Sequence, residues 1–114
     1  ASSVRIPSMF IQIMTENSIK HALRNKEGIK LLSITVRHEH NNTVIRVTDN
    51  GPGFNPVTLR RKTGMNIISQ TIAVINLHNK DKIRFDIHNI YSSDGKQIKG
   101  CEAMLKVPDG VKIE

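Results

Sequence analysis

Residues 44–54 read Val-Ile-Arg-Val-Thr-Asp-Asn-Gly-Pro-Gly-Phe, and no other stretch constrains the fold so narrowly. Val44, Ile45 and Val47 open it as a half-buried strand, which Asp49-Asn50-Gly51-Pro52-Gly53 cannot continue. The strand therefore ends in a sharp glycine turn. Two glycines around a proline allow positive φ and the close approach of another group, while the strand end holds Asp49 on a rigid scaffold. A turn of this kind makes the floor of a ligand site. Asp-Asn-Gly is also a common hairpin signal, so the rest of the chain has to decide between the two.

A chain of 114 residues fits one domain, 1–114, and buries a core without staples. It opens on Ala1, as expected of a piece of a longer protein, and no apolar run approaches the ~20 residues of a membrane span. The single Cys101 excludes an internal disulfide and reads as a small buried hydrophobe. Seventeen Lys and Arg against ten Asp and Glu leave a formal charge of +7, which attracts polyanions: nucleic acid, an acidic partner face or nucleotide phosphates. Part of the surplus clusters at Arg60-Arg61-Lys62. One Tyr, three Phe and no Trp leave little for stacking bases, which weakens a single-strand-binding reading.

Pro7 sits where a helix can begin, and Met9, Phe10, Ile13 and Met14 follow in one apolar stripe, predicting a helix from Ser8 to Leu23. Continued, the stripe reaches Asn17 and His21. A buried amide needs a partner, whether backbone, water or a bound cation, because leaving it unbonded costs about 1–3 kcal/mol. Glu16 and Lys20 flank it. The bland alternative is a helix that turns amphipathic near its end, with Lys20 and His21 solvated.

Lys30–His38 and Thr43–Thr48 read as strands joined at Asn41-Asn42, so a hairpin delivers the glycine turn. His38-Glu39-His40 lacks further ligands at a metal-binding spacing. Met65, Ile68, Ile72 and Ile75 mark a second helix, Met65–Leu77, with Gly64 at its amino end. A helix amino terminus behind a glycine and three basic side chains suits phosphate, although Thr63 also reads as a plain cap. Lys82–Tyr91 and Gln97–Val107 form a second hairpin turning at Ser93-Asp94-Gly95.

This order resembles the ATP-binding domain of the GHKL superfamily, and most closely that of LytS-like sensor histidine kinases. The resemblance rests on the Ile6-Pro7-Ser8 lead, Glu16-Asn17-Ser18-Ile19-Lys20-His21 on the first helix, Asp49-Asn50-Gly51-Pro52-Gly53-Phe54, and the closing Lys106-Val107-Pro108. It implies an α+β, two-layer Bergerat-type sandwich, with a mixed, mainly antiparallel sheet covered on one face by helices.

For function, the resemblance implies a catalytic domain that binds Mg-ATP and passes the γ-phosphate to a histidine on a separate dimerisation domain. Asn17 would bind the Mg ion and Glu16 would position the attacking group. Lys20 and His21 would meet phosphate or ribose. Asp49 would accept the adenine amino hydrogen, with Gly51 and Gly53 letting the base lie on the turn. Lys62, Thr63, Gly64 and Met65 would form the lid, and Val47, Ile13 and Ile67 the apolar slot. The domain is expected to be cytoplasmic, within a bacterial sensor anchored in the inner membrane, indirectly serving a response regulator and touching neither nucleic acid nor membrane itself.

Two departures stand out. Where the family reads Gly-x-Gly-Leu-x-Asn, this chain has Lys62-Thr63-Gly64-Met65-Asn66-Ile67. The family also places a strand before the Ile-Pro lead, so one sheet strand is expected to be missing. The competing readings are a degenerate GHKL domain that scaffolds partners, an anti-sigma-factor-type serine kinase, and, on charge alone, a basic nucleic-acid module.

Overall fold

The computed structural model describes residues 5–24, 26–54 and 63–111. Helix α1 (Arg5–Asn17) passes into one π turn, Ser18–Ala22; strands β1 (Leu32–Glu39) and β2 (Asn42–Asp49) follow, then helix α2 (Thr63–Leu77) and strands β3 (Arg84–Tyr91) and β4 (Ile98–Pro108). The four strands lie in the order β1-β2-β4-β3, and every described pairing is antiparallel.

Alternation assigns the two sheet faces. Ile45, Val47, Leu105, Val107, Phe85 and Ile87 point to the helices, and with Ile6, Phe10 and Met14 of α1 and Met65, Ile68, Ile72 and Ile75 of α2 they make the core. Phe10, Ile45, Ile68 and Leu105 are fully buried. The Phe10 and Phe85 rings meet edge to face, with centroids 5.8 Å apart. A large side chain buried this way stabilises the fold by about 1.5–3 kcal/mol. Asn76 fixes the far end of α2: its Nδ2 donates to the Ile83 carbonyl at 3.0 Å and its Oδ1 accepts from the Ile83 N–H at 2.8 Å. Lys82 caps the same end through the Asn76 and Asn79 carbonyls, where a cation suits the helix dipole.

Two boundaries differ from the sequence reading. The β1–β2 turn falls on His40 and Asn41, with φ of 52° and 65°, because pairing Glu39 with Asn42 leaves two left-handed residues between them and draws Asn42 into β2. The first helix starts at Arg5, and its α-helical part stops at Asn17. The π turn that follows is closed by the Leu23 N–H on the Ser18 carbonyl at 2.8 Å. The buried line Ile6-Phe10-Met14 continues at i+4 spacing to Ser18, beside the half-buried Asn17, and the extra residue of the π turn then returns it to the core at Leu23.

Strand β1 is an edge strand. Leu32 packs on the core, but Ile34 and Val36, on the same face, are 44% and 59% exposed, because α1 leans over β2 and β4.

Candidate nucleotide site

Asp49 ends β2 on the helix-facing side of the sheet and is 7% exposed. Both of its oxygens are engaged. Oδ2 accepts from the Ser18 hydroxyl at 2.8 Å, and Oδ1 from the Gly51 N–H at 2.9 Å. Ser18, which opens the π turn on the inward line of α1, thus meets the carboxylate 31 residues away in sequence. A carboxylate has about four lone-pair sites, so two neutral donors leave capacity for another.

The glycine turn is fixed from two sides. Asn50 accepts from the Leu31 N–H at 2.8 Å and donates to the Ile29 carbonyl at 2.9 Å, tying the turn to the approach of β1. Asn89 of β3 accepts from the Phe54 N–H at 3.0 Å and donates to its carbonyl at 3.2 Å. Gly53 has φ +85°, and a Cβ there would lie 2.6 Å from Asn89 Oδ1. Beneath the turn, Gly100 of β4 lies so close to the Asp49 carbonyl that a Cβ would overlap it. Sequence reasoning missed Ser18, Asn89 and Gly100. A polar residue inside an alternating strand is the only signal Asn89 carries.

Cys101 pairs with Asp49 across β2 and β4. Burial, with the Asp49 and Glu102 charges added, pushes its thiol up to about 12.

Asn17 is half-buried at the last α-helical position, next to Ser18, and its side-chain nitrogen is buried without a partner among the described residues; the Thr15 hydroxyl is likewise unpaired. Which end of an amide is oxygen is an assignment, so either end of Asn17 can meet this space. An orphaned buried amide fits a hydrated dication, which keeps most of its waters and takes one or two protein ligands. Glu16 is exposed and accepts from Gln12 Nε2 at 3.5 Å, and Lys20 is exposed on the π turn.

At the start of α2, Gly64 is half-buried, and a Cβ there would lie 2.8 Å from Ile13 Cγ2, so the glycine lets α2 close on α1. Met65 packs into the core, 5% exposed, leaving only its backbone for a ligand. Ile67, expected in the apolar slot with Val47 and Ile13, is 44% exposed. The helix turns it outward because Met65, Ile68 and Ile72 occupy the inner stripe. Lys62 and the Arg60-Arg61 pair lie outside the described residues, as do the side chains of His21 and Thr63. His38 of the His-Glu-His stretch pairs with Asp109, Nε2 to Oδ2, at 2.8 Å.

No protein-family model matches the chain. It is 30% identical over 80 residues to the sensor histidine kinase YpdA of Escherichia coli, spanning 70% of this chain and 14% of YpdA. It is 32% identical over 68 residues to the sensor protein LytS of Staphylococcus haemolyticus, spanning 60% of this chain and 12% of LytS. The histidine kinase domain of the blue-light-activated kinase EL346 from Erythrobacter litoralis superposes with a TM-score of 0.72 at 11% identity, over 94% of this chain and 48% of the other. The Acinetobacter baumannii histidine kinase AdeS gives a TM-score of 0.58 at 16% identity, over 93% and 47%. By sequence and fold together, the chain is a GHKL-superfamily domain of the kind carried by LytS-like sensor histidine kinases. It spans about one seventh of the length of the relatives it matches.

Proposed function

We propose that residues 1–114 are the catalytic ATP-binding domain of a longer two-component sensor histidine kinase, whose parent is a bacterial sensor held at the inner membrane. Among the described residues no helix is long and apolar enough to cross a membrane. ATP lies between the π turn and the glycine turn. Asp49 accepts the adenine amino hydrogen with its remaining lone pairs, and Gly51 and Gly53 keep side chains out of the plane of the base. Asn17 holds Mg at the phosphate end. The ion supplies charge neutralisation to the phosphates, and Glu16 orients the attacking group. Lys20 and His21 meet phosphate or ribose, and Lys62 to Met65 form the lid. The γ-phosphate goes to a histidine on the dimerisation domain of the same parent, and from there to a response regulator. Such transfer needs mainly positioning and charge neutralisation from the protein.

The observation that carries this reading is the Ser18–Asp49 hydrogen bond, which brings the orphaned Asn17 amide and a buried carboxylate to one side of the sheet. Calorimetric titration with ATP tests it. Saturable, Mg-dependent binding is expected, and Asn17→Ala should weaken it by about ten- to a hundred-fold, in proportion to the ~1–3 kcal/mol of a lost polar partner, with the circular dichroism unchanged. Binding that ignores both Mg and Asn17→Ala would remove the role given to Asn17. No binding at millimolar ATP would favour the scaffold reading, in which Lys62 and Ile67 mark a degenerate lid.

A further inference from the structure

The sheet face turned away from the helices carries Arg37, Arg46, Arg84 and Lys106. Their register places them together: Arg37 pairs with Val44, Val44 with Lys106, and Lys106 with Arg84, while Arg46 lies two residues along β2. Val44 is 2% exposed between Arg37 and Lys106, as expected where long basic stems lie over an apolar residue and carry their charges outward. Directly opposed like charges such as Lys106 and Arg84 destabilise a sheet.

By the same alternation Asp86 and Glu102 share this face, two residues along from Arg84 and four from Lys106, where both are drawn to His88 rather than to a basic side chain. His88 lies 2.9 Å from Asp86 and 3.3 Å from Glu102, and Glu102 also accepts from the Thr48 hydroxyl. Glu39 is exposed two residues along from Arg37 and makes no ion pair among the described residues. None of the four cations makes a hydrogen bond or ion pair among the described residues, and outside those residues the only acid in the chain is Glu114.

We propose that this face docks an acidic protein surface. Three of the four cations are arginines, whose rigid forks take carboxylates in pairs and gain most from anions held at fixed spacing. The sheet supplies that spacing, since adjacent strands lie about 4.8 Å apart. A fluid lipid surface asks for no such order, and the face carries no Phe, Tyr or Trp on which bases could stack. The face lies across the sheet from Asp49 and Asn17, so the partner binds whether or not the nucleotide site is filled, and the inference does not depend on the reading of that site.

The test is a nuclear magnetic resonance titration of the whole chain with a poly-glutamate peptide, repeated with ATP-Mg present, with vesicles of roughly 30% phosphatidylserine in phosphatidylcholine, and with a DNA duplex. Shifts are expected at Arg37, Val44, Arg46, Arg84 and Lys106, at the same affinity with ATP-Mg, and weakened about tenfold in the variant R84Q/K106Q. R37Q/R46Q, on the neighbouring strands, should do the same, so a folding defect in one variant does not decide the matter. Peptide shifts centred elsewhere, unchanged affinity in both variants, or tighter binding to vesicle or duplex than to peptide would overturn the proposal.

Discussion

Asn89 does for the glycine turn what a second strand would do for a straight one, since its amide is the partner of both polar groups of the Phe54 backbone. Replacing it by Ala leaves a half-buried N–H and C=O unpaired, a loss of about 1–3 kcal/mol. Urea denaturation of Asn89→Ala should show that loss as a lower midpoint at unchanged slope, with nucleotide affinity falling alongside. Cys101 gives a prediction in pH. An unfolded thiol titrates near about 8.5, whereas the folded one keeps its proton up to about 12, so unfolding releases a proton across that window and stability falls as pH rises through it. Cys101→Ala should flatten that part of the stability–pH curve and leave the curve unchanged below it. Little of this was visible in the sequence. Asp49, Gly51 and Gly53 declare themselves through a turn no strand can absorb, but Asn89 is one polar residue in a strand, and its partner lies 35 positions away.

At the level of elements, periodicity carried most of the information. Both helices and all four strands follow from apolar spacing, within a few residues at their ends. The π turn does not, because no residue type marks it: it begins at Ser18, where the inward line meets Asp49, and carries the chain on to the buried Leu23. Gly100 is equally silent in sequence, yet it decides whether β4 can pass under the end of β2. Gly100→Ala forces a Cβ into the Asp49 carbonyl, which only a backbone shift relieves, at about 2 kcal/mol or more. The variant should lose both stability and nucleotide affinity, as read by thermal unfolding and ATP titration. Ala at Gly110, where the nearest atom is an Asp81 oxygen 3.7 Å away, should leave both within error.

The whole molecule is two-layered over part of its width only. Helix α1 sits over the central strands β2 and β4, and β1, at one edge of the sheet, keeps one row of backbone N–H and C=O groups unpaired among the described residues, beside Ile34 and Val36. Ile34→Lys with Val36→Lys should change monomer stability by no more than about half a kcal/mol, since both side chains are already exposed. Light scattering at rising protein concentration should then show less association than in the parent chain. Purified alone, this chain therefore carries its own template for strand-to-strand growth. Its tendency to gel or cloud in storage will be decided at residues 32–39, and two lysines there would extend its working life in the tube.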